Sequence, residues 1–185
     1  MAAVLTAIFG VEPLPPVLLH TYTTRAALRQ GLVQHAGLSP AAAVDLAATS
    51  LGLALPRAVL LLIGADHGDR VRLLAHEATH LLQLELAGTD ARPAQWLMEG
   101  TAEWAAFMVL DRLRAPEVER RRMAAFAAAD RYLIAHPTFT PAALHRPGQF
   151  TSWRRTVGDV LAYQVAYTLA DRLVQRRGVP AVVAY

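Results

Sequence analysis

The chain has 185 residues, of which 54% are hydrophobic and 18% charged, a balance that excludes a disordered tail and predicts one domain with a sizeable core. All 18 basic residues are arginine, the net charge is only +3 and there is no cysteine, which excludes disulfides and thiolate metal sites. The only tight basic cluster, 120–122, lies beside Glu117 and Glu119, so no nucleic-acid partner is expected.

The N-terminal segment 1–16 is apolar but has no basic residues ahead of the apolar stretch, which argues against a secretory signal peptide. The longest uncharged apolar runs, such as 58–65, fall short of the roughly 20 residues of a membrane-spanning helix. We therefore expect no transmembrane segment and a cytoplasmic location for the chain as written. An extracytoplasmic location is the alternative if a signal or anchor was removed from a longer precursor, and the oligomeric state stays undetermined.

The N-terminal third of the chain contains three apolar segments bounded by proline or glycine. They predict strands over 15–22, 51–55 and 58–63, with Pro56 between the last two. Thr23 or Thr24 is expected to cap a helix that carries Leu32, and 40–48 predicts a second, short helix.

After a polar turn over 64–68, apolar residues recur at helical spacing. They predict four helices, over about 70–87, 93–113, 116–135 and 157–177. Gly88 is expected to end the first and Pro93 to lie in the first turn of the second, while Gly178 and Pro180 follow the last. The stretch 136–153 predicts a loop. We therefore expect a single α+β domain over 1–185. Residues 1–69 would form mainly a small mixed β-sheet, packed on a helical bundle over 70–185 that carries the metal site.

Residues 76–80 spell HEATH within a predicted helix. His76 and His80 are one helical turn apart on the same face, so both can direct ring nitrogens to one Zn²⁺. Glu77 lies beside them, where it can act as general base toward the water that such a metal activates. Chance alone gives this pattern in on the order of one per hundred such chains, so a third ligand is the decisive feature.

Eighteen residues separate His80 from Glu99, which lies on the next predicted helix. Glu99 completes three protein ligands and leaves a fourth position for water, as in catalytic zinc sites. Glu103 follows one turn later and is placed to accept the second ring N–H of a ligand histidine. The alternative for Glu103 is an exposed helix carboxylate, although its apolar neighbours Ala102 and Trp104 favour burial.

HEATH, the spacing to Glu99 and the EGTAE segment at 99–103 resemble the gluzincin metallopeptidases and, within them, the peptidase MA-like domains. The resemblance covers most of the chain. The last helix, AYQVAYTLADRL, is similar to the family's closing helix, which has a tyrosine at the place of Tyr163. The resemblance implies a thermolysin-like zincin core that hydrolyses peptide bonds, with a tyrosine or histidine stabilising the tetrahedral intermediate.

Tyr163 lies 64 residues after Glu99, about where aminopeptidase-like gluzincins carry that tyrosine, so it is the candidate electrophile. Tyr167 is one turn later and is an alternative, as is either histidine of the predicted loop, His136 or His145. Packing in the core is the other interpretation of both tyrosines.

Aminopeptidases of this type carry a Gly-x-x-Glu-Asn loop on an edge strand, whereas 51–56 here is LGLALP and offers no carboxylate. Aminopeptidase specificity is therefore not expected, although Gly52, Leu53 and Ala54 could align an extended peptide by main-chain pairing.

We predict a zinc peptidase whose partner is a peptide or protein substrate. The alternative is a catalytically silent, zinc-stabilised binding or regulatory module on the same fold. A third interpretation takes the mean hydropathy of +0.27 as the mark of an apolar surface used beside a membrane or in an oligomer.

Overall fold

The computed structural model of the protein describes residues 2–12, 15–64, 67–87, 94–146 and 148–183. These residues form a mostly helical α+β fold with a three-stranded mixed sheet. The strands are β1 (Leu18–Tyr22), β2 (Gly52–Leu55) and β3 (Ala58–Leu62). The helices are α1 (Ala2–Phe9), α2 (Arg25–Ala36), α3 (Pro40–Thr49), α4 (His67–Ala87), α5 (Gln95–Arg112), α6 (Val118–Ala135), α7 (Gln149–Val157), α8 (Asp159–Arg177) and α9 (Pro180–Val183), with a 3₁₀ turn at Pro141–Leu144. Within the described ranges, a search for helices long and apolar enough to cross a membrane finds none.

The three predicted strands are confirmed, each slightly shorter than expected. Their spatial order is β1-β3-β2, in which β1 runs parallel to β3 and β2 runs antiparallel to it. The parallel pair is possible because α2 and α3 cross over between the first two strands. The strand β2 therefore lies at one edge of the sheet, which is the edge beside α4.

Among its described residues, the segment 1–69, which we expected to be mainly sheet, contains three complete helices and the start of α4 besides the strands. Thr24 caps α2 by accepting a hydrogen bond from Ala27 N at 3.1 Å, and Gly37 ends α2 in the left-handed conformation at φ 66°. Helix α2 packs on one face of the sheet through Leu28 and Leu32, which lie in one cluster with Leu60, and α3 adds Ala43 and Ala47 to this cluster. Helix α4 covers the other face.

Helix α1 was not predicted, because all its residues but Thr6 are apolar and the segment shows no capping signal. It buries Leu5 in the main core cluster, and Phe9 contacts Trp104 edge to face with ring centroids 6.2 Å apart. The N-terminal apolar stretch thus belongs to the core of this domain.

The four predicted long helices are present as α4, α5, α6 and α8, and α5 is buried along most of its length. Helix α4 begins at His67, earlier than expected, so Gly68 lies within the helix and not in a turn. The predicted signals at Gly88 and Pro93 lie outside the described residues.

The expectation of a continuous loop over 136–153 was wrong. This stretch contains the 3₁₀ turn and the start of α7, because Phe150 is fully buried and Trp153 packs beside it. Gly148 and Gly158 flank α7, both with positive φ, and Gly148 is part of the proline-, glycine- and threonine-rich composition that suggested a loop.

Candidate metal centre

Helices α4 and α5 lie side by side and bring three predicted ligands together. Glu99 Oε2 is 3.3 Å from His76 Nε2 and 3.4 Å from His80 Nε2. The two Nε2 atoms are 3.1 Å apart. His76 is buried and the other two side chains are half-buried.

The distances among these three atoms suit a metal ion. Ligand atoms placed about 2.0–2.1 Å from a tetrahedral zinc ion lie about 3.3 Å from one another. The three donor atoms have nearly this mutual spacing, and two imidazoles with one carboxylate are a donor set of catalytic zinc sites. The group formed by His76, His80 and Glu99 could therefore hold a metal ion.

The far sides of both imidazole rings are held by hydrogen bonds. His76 Nδ1 donates to Glu103 Oε2 at 3.1 Å, and Arg72 Nη1 donates to the two oxygens of Glu103 at 2.7 and 2.8 Å. His80 Nδ1 donates to Gln83 Oε1 at 2.7 Å, and Gln83 Nε2 donates to the carbonyl of Met98 at 3.0 Å.

These bonds fix the tautomer of each ring. A carboxylate only accepts hydrogen bonds, so the Nδ1 atom of His76 carries a proton. Because the amide nitrogen of Gln83 is used by a carbonyl, its oxygen faces His80, and that ring also carries its proton on Nδ1. Both Nε2 atoms face Glu99.

The charges of the cluster are strongly coupled. Burial lowers the pKa of His76, but the hydrogen bonds to Glu103 and Glu99 outweigh burial and raise it to about 10. Burial raises the pKa of Glu99, but the hydrogen bonds to His76 and His80 hold it well below the ordinary value of 4.5. The pKa of Glu103 is lowered in the same way, since Arg72 and His76 outweigh its burial. The ionised carboxylates of Glu99 and Glu103 thus stabilise positive charge at His76.

Glu77 points from α4 to the edge strand β2. Its side chain is buried, and the backbone amide of Ala54 donates a hydrogen bond to its carboxylate. A Cβ atom at Gly52 would lie 2.7 Å from the carboxyl carbon of Glu77, so the carboxylate fills the space that a side chain would need. Burial raises the pKa of Glu77, with partial opposition from the nearby His76.

The hydrogen bonds of β2 show which main-chain groups face its outer side. Leu62 N donates to the Leu51 carbonyl at 2.7 Å, which makes alternate residues, Leu53 among them, the hydrogen-bonded partners of β3. Gly52 and Ala54 direct their backbone groups outward, and the amide of Ala54 is used by Glu77. Of the three predicted substrate-binding residues, Leu53 therefore directs its main-chain groups toward β3 and not outward.

Tyr163 is on α8 and lies next to the candidate ligands. Its ring centroid is 5.9 Å from that of His76, and its hydroxyl accepts a hydrogen bond from Arg154 Nη1 at 3.0 Å. Burial raises the pKa of Tyr163, and the carboxylate of Glu99 raises it further.

Two of the alternatives to Tyr163, Tyr167 and His136, make their contacts elsewhere. Tyr167 is buried in the core between the rings of Phe107 and Phe126, and its hydroxyl accepts a hydrogen bond from Arg122 Nε at 3.1 Å. The exposed loop residue His136 stacks on Tyr132, with ring centroids 4.2 Å apart.

Gly100 follows Glu99 and lies where α5 and α8 are in closest contact. A Cβ atom there would lie 2.7 Å from the carbonyl carbon of Ala166, a backbone atom of α8. Only glycine lets the two helices approach so closely, and Tyr163 is within one turn of Ala166 on α8. The glycine of EGTAE thus positions α8 against the ligand-bearing helix.

Three residues around the site were missed in the sequence: Arg72, Gln83 and Arg154. Arg72 precedes His76 by four residues and Gln83 follows His80 by three, so helical spacing alone could have indicated both. Arg154 gave no such indication, because it lies close to the predicted loop and reaches the site only through the packing of α7 on α8.

Comparisons with models of protein families, with curated proteins and with solved structures find no match. The resemblance to gluzincins stays a prediction based on the residues of the two motifs.

Proposed function

We propose that the protein is a zinc-dependent peptidase with a thermolysin-like, gluzincin core, in which His76, His80 and Glu99 hold the ion and Glu77 is the general base. One observation carries the proposal. The three donor atoms lie 3.1–3.4 Å from one another, and a buried carboxylate that is not among them lies on the same helix and is held against an edge strand.

Zinc is the ion we favour, because two imidazoles and one carboxylate without thiolate suit a catalytic zinc site with an available fourth position. When bound there, zinc would supply Lewis acidity toward a carbonyl oxygen and lower the pKa of water. Glu103, itself held by Arg72, keeps the ring of His76 oriented toward the ion.

In the reaction that we propose, Glu77 takes a proton from the attacking water as the oxygen–carbon bond forms at the scissile carbonyl. Glu77 then gives this proton to the amine nitrogen as the carbon–nitrogen bond breaks, so it ends ionised as it began. Its raised pKa suits the first transfer, since a desolvated carboxylate holds a proton more strongly. Tyr163 donates its phenolic proton in a hydrogen bond to the carbonyl oxygen as negative charge develops there.

The edge strand is the place where an extended peptide would lie. Gly52 and the carbonyl of Ala54 face outward from β2, next to Glu77, and they supply main-chain groups for pairing with substrate. Because the amide of Ala54 is used by Glu77, the base and the strand that binds substrate are joined directly.

The second candidate function is a catalytically silent module stabilised by zinc. It is favoured by the position of the ligands, which join α4 to α5 across the centre of the domain, so that a bound ion contributes to folding whether or not hydrolysis follows.

The test combines metal analysis with peptide cleavage. Purified wild-type protein is expected to contain about one zinc per chain and to cleave a mixed peptide library in a chelator-sensitive reaction. His80→Ala and Glu99→Ala are expected to lose both properties, and Glu77→Gln only cleavage. His35→Ala, an exposed histidine on α2, is the control. Absence of zinc would refute the metal site, whereas zinc without cleavage would favour the silent module.

A further inference from the structure

Arg154 contacts the tyrosine at the site from a separate helix. It lies on α7, its side chain is only 11% exposed, and its Nη1 donates to the hydroxyl of Tyr163 at 3.0 Å. Its Nε is 3.3 Å from an oxygen of Asp159, in the first turn of α8. Asp159 and Tyr163 are four residues apart on α8, so the guanidinium contacts two successive turns of one helix face.

The direction of the hydrogen bond to Tyr163 is fixed by chemistry. A guanidinium has donors and no acceptor, so the phenolic oxygen of Tyr163 must accept. The single phenolic proton is not used in this contact and is left to bond elsewhere. An oxygen that accepts from a cation also becomes a stronger donor, because hydrogen bonds in series polarise one another.

The ring of Tyr163 is held between two other rings. It contacts His76 at a centroid distance of 5.9 Å and Phe150 at 6.1 Å, both in edge-to-face arrangements. The carboxylates of Glu99 and Glu77 are close enough to raise the pKa of Tyr163. The hydroxyl thus has Arg154 as its donor and the candidate metal centre close by.

We propose that Arg154 is a positioning residue of the site: by occupying the acceptor side of the Tyr163 hydroxyl, it directs the phenolic proton to the oxyanion of the reacting peptide. The inference rests on the proposed peptidase function. A direct contact between Arg154 and substrate is the competing role. It is disfavoured because Nη1 is used by the Tyr163 hydroxyl and only 11% of the side chain is exposed.

The kinetic test uses Arg154→Met, Arg154→Lys and Tyr163→Phe, with Arg155→Met as control, since Arg155 is exposed on the same helix. Tyr163→Phe, which removes the phenolic hydroxyl, is expected to lower kcat by on the order of 10²-fold, as for other oxyanion donors. Arg154→Met is expected to lower kcat about tenfold with KM unchanged, since the phenol remains but is no longer directed. Arg154→Lys should recover part of the loss, and Arg154→Met should have no further effect in Tyr163→Phe.

Two kinetic results would overturn the inference. A raised KM with unchanged kcat in Arg154→Met would place Arg154 in contact with substrate. If the effects of Arg154→Met and Tyr163→Phe on kcat multiply in the double variant, Arg154 acts independently of Tyr163. Circular dichroism of each variant tests folding. If Arg154→Met does not fold, Arg154→Lys carries the test, because it keeps the charge and loses the planar geometry of the hydrogen bond.

A spectroscopic measurement on metal-free protein completes the test. The Raman doublet of a tyrosine ring reports whether its oxygen accepts or donates, and the difference between wild type and Tyr163→Phe isolates this residue. An acceptor signature that disappears in Arg154→Met is expected, and its absence in wild type would refute the contact. Failure of the proposed peptidase function would give a different result: wild-type protein would show the acceptor signature of Tyr163 but would cleave no peptide. An active wild type with unchanged kcat in Arg154→Met would overturn this inference alone.

Discussion

Replacing Gly52 with alanine places a methyl group against the carboxylate of Glu77. The new Cβ would lie 2.7 Å from the carboxyl carbon and 2.8 Å from Cγ, whereas ordinary contact begins at 3.4 Å. The carboxyl carbon must therefore retreat by about 0.7 Å and the nearer oxygen by more. A displacement of about 1 Å costs on the order of 10²-fold in rate, or about 2.7 kcal/mol of transition-state stabilisation.

The same substitution should leave the protein folded and loaded with metal. Alanine suits the interior of a strand at least as well as glycine, and the three atoms nearest to the new Cβ all belong to Glu77 and none to a candidate ligand. We therefore expect kcat/KM for a peptide selected from the library to fall about 10²-fold, with unchanged zinc content and melting temperature.

The matched control is Gly64→Ala, because a Cβ atom at Gly64 meets nothing within 4 Å. Wild-type activity in Gly52→Ala would refute the reasoning, since Glu77 would then be either displaced without consequence or not the base. Loss of zinc in Gly52→Ala would show that β2 supports the ligands and not the base alone.

Three further outcomes are expected. Glu103→Ala should weaken zinc affinity by about 10–100-fold in a competition assay with a chromophoric chelator, and the exposed Glu119→Ala should not. Tyr167→Phe should lower the free energy of unfolding by about 1 kcal/mol with unchanged turnover, unlike Tyr163→Phe, and a loss of turnover would contradict the placement of Tyr167 in the core. Metal-free His76 has its pKa raised to about 10 from 6.5, so between these values it carries a proton that zinc must displace. Calorimetry in buffers of different ionisation enthalpy should show release of about one proton per ion and an affinity that rises with pH; uptake without release would contradict the coupling.

The core of the candidate site could be predicted because helix geometry fixes it. Residues at i and i+4 must share a face, so His76 and His80 converge wherever a helix forms, and Glu99 follows on the next helix. The contact of Glu77 with Gly52 could not be predicted in this way. It depends on the position of β2 beside α4, which no local pattern determines.

The errors in the predicted fold have the same origin. Helix α7 forms where proline and glycine suggested a loop, because burial of Phe150 outweighs local propensity. Because α7 was not predicted, Arg154 was missed, and its partner Tyr163 lies on the next helix. The parallel pairing of β1 with β3 likewise depends on the crossover through α2 and α3, and the strand patterns alone do not indicate it.

The contact between Gly100 and the backbone of Ala166 makes one position diagnostic for the history of such proteins. A descendant that acquires any side chain at position 100 must push α8, and Tyr163 with it, away from α5. Glu99 and the two histidines would keep their places on α4 and α5. Under the proposed function, such a lineage would retain its ion and lose hydrolysis in a single step, so position 100 would separate active members from inert relatives.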